Sequence, residues 1–466
     1  MDKILISYDL QKPYSSASII QKEDGSLFYR ISEPEMSDEK RKLFQKILSL
    51  LIDSLNPELF DSTAPDSKNH LQKTVSSLLN LYSIHLSEDE INIFYYYAER
   101  DFYGFSAVQP FLEDPNIEDI SCSGNDIPIH IFHRKYGSVQ TNVTLSESET
   151  NALIRRMAQC SGKPISVAEP MTDAVLPDGS RVQLTLGSEI TTKGSTFTIR
   201  KFNEKPFSPF DLVKNCTFTP ETAAYLWLCV ESNMNLIFAG GTASGKTTSL
   251  NAFCQFIPAN KKIVSIEDTR EINLPHLNWI SAVSRERNGN AENNAGRITL
   301  YDLLKASLRQ RPEYILVGEV RGAEAYVLFQ AMSTGHTTIS TMHAESVDTL
   351  IHRLENPPMN VPRVMIQTLD VLVILAQTEN EGRFSKKCLA VYEILETDPQ
   401  TSEILTIEIF NHLMPDSKPD LEKSAVLKKA GIRKGWTAEK LKEEFERRIL
   451  SFHEYDGISQ ESGVLK

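Results

Sequence analysis

Residues Gly240 to Thr248 read GGTASGKTT, and Gly240–Thr247 fit the pattern G-x-x-x-x-G-K-[ST]. No other stretch narrows the possible folds as far. At average composition the pattern arises by chance in only about one or two percent of chains this long. Its flanks agree. An apolar strand, Asn235 to Ala239, precedes it, and a helix with Leu250, Phe253, Cys254 and Ile257 on one face follows, stopped by Pro258. A glycine-rich turn between strand and helix lets main-chain N–H groups close around phosphate oxygens, and the helix start adds a positive dipole end. The candidate phosphate-binding residues are therefore Gly240, Gly241, Thr242, Ala243, Ser244, Gly245, Lys246, Thr247 and Thr248. Lys246 has the reach for the β and γ phosphates, and the Thr247 hydroxyl suits Mg²⁺, so ATP and Mg²⁺ are the expected cofactors.

Such a loop binds nucleotide; hydrolysis needs an acid nearby. The run RPEYILVGEVRG ends a buried strand in Glu319, which places a carboxylate at the carboxyl edge of a sheet, where it can orient or deprotonate water. Upstream, Thr299 and Asp302 form a capping box for a helix with Leu300, Leu303, Leu304 and Leu308 on its core side. A second acidic run, IEDTREI, brings Glu267 and Asp268 after another strand, as candidates to hold water or Mg²⁺. In TGHTTISTMHAES, His336 and His343 flank a strand; two histidines at that spacing do not make a metal site by themselves. Arg309, Arg311 and Arg321 lie close in sequence and suit either phosphate or ion pairs with Glu313 and Glu319.

The coarse organisation is three regions. Residues 1–104 read as helical. Phe44, Ile47, Leu48, Leu51, Ile52 and Leu55 share a face after Ser37-Asp38-Glu39; Leu71, Val75, Leu78, Leu79 and Tyr82 form a second stripe; Ser87 and Glu90 open a third helix with Ile91, Phe94, Tyr95 and Ala98 inward. Residues 105–204 read as a small α+β domain, with strands at Ile127–Phe132 and Arg181–Leu186, turns at Asp178-Gly179 and Lys193-Gly194, and a helix over Glu147–Gln159. After a linker around Lys205–Pro209, residues 205–466 alternate helices with strands at Leu236–Ala239, Lys262–Ile266, Tyr314–Val317 and Thr337–Met342. That pattern predicts an α/β fold with a mostly parallel sheet.

Composition bounds the function. With 49 Lys and Arg against 62 Asp and Glu, the formal net charge is −13, which disfavours a nucleic-acid partner. The start, MDKILISYDL, never develops a signal-peptide core, and no run approaches the ~18 apolar residues of a spanning helix. The expectation is a cytoplasmic protein that spans no membrane. The six cysteines include no C-x-x-C pair, so buried free thiols are expected rather than disulfides or a zinc cage.

The order GGTASGKTT, IEDTREI, LRQRPEYILVGEVRG, TGHTTISTMHAES resembles the secretion-type ATPases of type II secretion, type IV pili and the archaellum, over about residues 105 to 415. There the four segments are the Walker A, Asp box, Walker B and His box. The resemblance implies a RecA-like P-loop ATPase domain behind a smaller N-terminal domain, in a hexameric homo-oligomer with nucleotide between the domains. It makes Glu319, Glu267 and His343 catalytic, gives Asp268 and Thr247 to the metal, and His336 to the nucleotide site. It also carries phosphate-reaching arginines onto Arg181 in LPDGSRVQ and Arg200 in FTIRKF. It implies a cytoplasmic motor on the inner face of the cytoplasmic membrane, pushing on a polytopic membrane platform protein. Arg311 and Gly322 stand where the bacterial branch often has Asp, and the tetracysteine element is missing; both, with FLEDPNIEDI, look like the archaeal branch. Two rivals stay open: a RecA-like nucleic-acid translocase, and a nucleotide-gated scaffold that barely hydrolyses ATP.

Overall fold

The computed structural model describes residues 2–54, 67–202, 206–285, 296–380, 383–398, 400–401, 403–414 and 417–461. The chain forms two compact units, Met1–Phe202 and Asn203–Lys466.

In the first unit the strands are β1 (Lys3–Gln11), β2 (Ser15–Gln21), β3 (Leu27–Ser32), β4 (Ile117–Cys122), β5 (Pro128–His133), β6 (Gly137–Thr144), β7 (Met171–Val175), β8 (Arg181–Thr185) and β9 (Thr196–Arg200). They form one sheet in the order β1-β2-β3-β6-β5-β4-β9-β8-β7. Every pair is antiparallel except β3 with β6. Helices α1 (Asp38–Ser54), α2 (Ser67–Leu81) and α3 (Glu88–Phe102) pack on one another through Phe44, Ile47, Leu51, Leu71, Val75, Leu79, Phe94 and Ala98. Two more, α4 (Gln109–Glu113) and α5 (Glu147–Cys160), follow; Leu153, Ile154 and Met157 of α5 join the core of the sheet. The capping box read at Ser87 and Glu90 opens α3. Of the α1 stripe, Leu55 lies outside the described residues.

The expectation of a helical region over 1–104 is overturned for its first third. Residues 3–32 are three strands, and β3 joins the sheet of the α+β region directly. The signal was a period of two written partly in small residues: Ser15, Ala17 and Ile19 point inward along β2, as do Tyr29 and Ile31 along β3. One polar knot secures this addition. The fully buried carboxylate of Asp114 accepts the hydroxyls of Tyr8 (2.5 Å) and Tyr29 (2.6 Å), and also Asn116 N–H (2.8 Å). Lys201 donates to the carbonyls of Phe111 and Asp114, at 3.1 and 2.5 Å; burial pushes its ammonium down to about 8.

The second unit is built on β10 (Leu236–Gly240), β11 (Ile263–Glu267), β12 (Trp279–Val283), β13 (Tyr314–Val320), β14 (Thr337–Met342), β15 (Val371–Asn380), β16 (Arg383–Thr397) and β17 (Ile404–Asn411). The order is β12-β11-β13-β14-β10-β15-β16-β17. From β12 to β15 all neighbours are parallel, and β16 and β17 add an antiparallel margin. This is the α/β, RecA-like sheet the sequence predicts.

Helices α6 (Pro209–Lys214), α7 (Pro220–Glu231), α8 (Lys246–Cys254), α13 (Ala425–Lys434) and α14 (Ala438–Glu461) cover one face. On the other lie α9 (Leu300–Arg309), α10 (Glu324–Ser333), α11 (Val347–Glu355) and α12 (Arg363–Ile366). Alternate strand residues feed the two cores. Leu236, Phe238, Tyr314 and Leu316 enter the first, and Ile237, Ala239, Ile315 and Val317 the second. Double coverage is why β10 and β13 read as unbroken apolar runs.

Replacing Asp114 with Ala leaves the Tyr8 and Tyr29 hydroxyls without their acceptor, at a cost of about 2–4 kcal/mol. Hydrogen exchange should show amides of residues 3–32 losing protection first; unchanged protection there would refute the role given to this carboxylate.

Candidate nucleotide site

Because β10, β11, β13 and β14 run parallel, their carboxyl ends meet at one edge of the sheet, and the predicted motifs sit on those ends. The loop after β10 is wound tightly. Gly240 has φ of +153°, and a Cβ there would stand 2.1 Å from the Leu375 carbonyl oxygen of β15. Gly245, at φ +89°, opens α8 with no side-chain cap, so the first N–H groups of that helix have no side-chain acceptor at its start. Between them Ala243 takes φ of +58°. The Ser244 hydroxyl donates to the Gly241 carbonyl at 2.9 Å, and Lys246 Nζ donates to the same oxygen at 2.6 Å. Lys246 is buried, so its ammonium is held inside the loop rather than dispersed in water. Main-chain donors, a helix start and a retained cation fit a phosphate chain.

Two carboxylates line the same edge. Glu319, near the end of β13, lies with Oε1 3.4 Å from Nε2 of His343, just past β14. Desolvation, followed by the charge of Lys246, holds the His343 imidazole below its ordinary value, so it is neutral at physiological pH. Arg353 of α11 donates to the His343 carbonyl and pins the segment. Glu267 ends β11 and is almost fully buried. Its Oε1 accepts the N–H groups of Glu271 (2.9 Å) and Ile272 (2.8 Å), while Oε2 has no hydrogen-bond partner among the described residues. Burial pushes this carboxyl up to about 7 despite those two donors. Its Cγ lies 3.1 Å from where a Cβ on Gly318 would be, so a glycine one residue before Glu319 gives Glu267 its room.

Two predicted placements differ. Asp268 accepts from Ser284 (2.8 Å) and from Arg321 (2.5 Å), so its carboxylate serves an ion pair and does not fit the expected metal role. His336 is at the wrong edge. It stands just before β14, in a cleft of about 430 Å³ shared with Asn235, Lys261 and Arg433. Parallel β10 and β14 separate it from the phosphate loop by a strand length, about 15–20 Å. Arg181 and Arg200 belong to the first unit, where they face each other across β8 and β9, and Arg200 also faces Asp119 of β4. Among the positions the motifs did not single out, Arg353 and Ser284 hold predicted residues in place; nothing in their sequence spacing marks them.

Residues 110–404 match the family model described as type II/IV secretion system protein. The uncharacterized protein MJ0900 of Methanocaldococcus jannaschii is 36% identical over 405 residues, which cover 82% of this chain and 72% of that one. Type IV secretion system protein PtlH of Bordetella pertussis is 28% identical over 318 residues, 61% of this chain and 92% of its own. Among solved structures, the Legionella pneumophila ATPase DotB is 17% identical, the match covers 72% of this chain and 85% of that chain, and the TM-score is 0.43. With the family match spanning well over half its length, this chain belongs to the type II/IV secretion system protein family.

Proposed function

We propose that this chain hydrolyses ATP and turns the free energy into mechanical work on a type IV pilus-like filament, an archaellum or a type II secretion machine. One observation carries the reading: the phosphate loop with Lys246, the Glu319–His343 pair and the half-satisfied Glu267 converge on a single sheet edge. In this reading the amides of Gly240–Thr248 and Lys246 hold the triphosphate of the substrate. The Thr247 hydroxyl takes the Mg²⁺, which when bound neutralises phosphate charge. Glu319, steadied by neutral His343, orients the attacking water. Glu267 offers an open, buried oxygen with a proton affinity tuned near neutrality, which suits a group that takes up the water proton. Arg181 and Arg200 are proposed to complete phosphate neutralisation from the first unit.

The working assembly is proposed as a hexameric homo-oligomer in the cytoplasm, on the inner face of the cytoplasmic membrane and bound to a polytopic platform protein. Among the described residues no helix is long and apolar enough to cross a membrane, so such contact would run through a partner. Nucleic acid is not an expected partner of so acidic a chain.

Lys246→Ala should abolish nucleotide binding in calorimetric titration. Glu319→Gln should keep binding and lower turnover by about a hundredfold or more, the usual weight of a positioned acid–base group. Wild-type turnover in the Gln variant would defeat the assignment. Stimulation by DNA or RNA that weakens steeply with salt would favour a translocase instead.

Glu267 supplies a pH test. Its folded pKa near 7 exceeds the ordinary 4.5, so the folded state binds the proton better, and stability is lost as pH rises through that window. Glu267→Gln should therefore stabilise the nucleotide-free protein by up to about 3 kcal/mol above pH 7, with the gain fading toward pH 4.5. The same substitution should remove the rising limb of kcat/KM centred near pH 7. A limb that persists in this variant assigns the titration elsewhere.

A further inference from the structure

The antiparallel margin of the second unit does more than close the sheet. Leu375 of β15 is level with Gly240 of β10, and β15 continues to Asn380, past the point where β10 gives way to the phosphate loop. Its partner β16 returns along the same overhang, with Lys386 opposite Gln377. The Lys386 side chain turns onto the loop: Cδ lies 3.2 Å, and Cβ and Cγ 3.8 Å, from where a Cβ on Gly245 would stand. Its neighbour Lys387 goes the other way and donates to the Cys216 carbonyl at 2.7 Å.

The stem thus fills the space left by the missing side chain of Gly245, the residue that opens α8. The ammonium is two bonds past Cδ, hence within about 6 Å of that same point. Lys246 and Thr247 follow Gly245 directly, so the start of the helix whose amides would receive phosphate lies within reach of a second cation. None of the four motifs contains it.

We propose that Lys386 is a second phosphate-binding cation of this site, reaching across Gly245 to the anionic chain of a bound nucleoside triphosphate. The proposal rests on the nucleotide reading of the loop and adds to it a cation carried by the β15–β16 hairpin. A lysine suits the task as a compact point charge on a flexible stem that can follow different phosphate positions. The rival role is packing alone, in which the methylene stem merely covers the loop.

Methionine separates the two roles, because it keeps an unbranched stem and removes the charge. Calorimetric titration of the full chain with ATP and with adenosine would compare wild type, Lys386→Met, Lys386→Arg and Lys246→Ala. Lys386→Met should weaken ATP binding by about five- to twentyfold, the scale of one charge-assisted contact, and leave adenosine unchanged. ATP binding equal to wild type, or an equal loss for ATP and adenosine, overturns the proposal. If Lys386→Met lowers the unfolding midpoint, Lys386→Arg decides: ATP binding near wild type supports a charge contact, and weakening as large as with Met overturns it. Loss of binding in Lys246→Ala beside an unchanged Lys386→Met sinks Lys386 alone, whereas normal binding in Lys246→Ala sinks the nucleotide reading itself.

Discussion

Everything in the second unit follows from burying the parallel strands of one sheet on both faces. A strand such as β10 or β14, wholly buried along its length, has no room for solvated chemistry within it. Charged side chains are driven to the strand ends, and parallel alignment gathers like ends at one edge. The phosphate loop, Glu267, Glu319 and His343 therefore meet although nearly a hundred residues separate the first from the last. The opposite edge collects Asn235, His336 and Asp370, and there the hydrogen bonds of Asn235 serve the fold. Asn235 donates to the Thr368 carbonyl and accepts the Thr338 N–H.

Within the site, the three acids differ by environment rather than by residue type. Glu319 is partly exposed and balanced by a neutral imidazole. Asp268 is consumed by Arg321 and Ser284. Glu267 is almost fully buried, with one oxygen accepting two main-chain N–H groups and the other without a hydrogen-bond partner among the described residues, and burial pushes its carboxyl up to about 7. The antiparallel hairpin of β15 and β16 stands beside them because its first strand shares the edge with β10 and overruns it.

The first unit shows a different economy. Its sheet is mostly antiparallel and is extended by β1–β3, whose outermost strand is largely exposed. That outermost strand buries little apolar surface of its own. Asp114 compensates by drawing Tyr8 and Tyr29 onto one carboxylate, and Glu33 ties the end of the same hairpin to Arg100 and Tyr96 of α3 at 2.8 and 2.6 Å. Buried polar contacts with directional geometry specify where such an addition docks.

What the sequence by itself determined was whatever is written in neighbouring residues. The glycine loop, the capping boxes at Ser87 and Thr299, the helical stripes from Phe44 to Ala98 and the unbroken apolar runs of β10 and β13 are local patterns, because backbone geometry and double burial act within a few residues. Tertiary structure decided the rest. Strands β1–β3 were hidden because a period of two in Ser15, Ala17 and Ile19 gains meaning only against a distant partner, β6. His336 and His343 sit in one motif, yet a single buried strand carries them to opposite edges. Asp268 became an ion pair through Arg321, fifty-three residues away, and Lys386 reached the loop through strand register. Each outcome depends on which ends a fold brings together, and that is a property of the packed sheet rather than of any short run of residues.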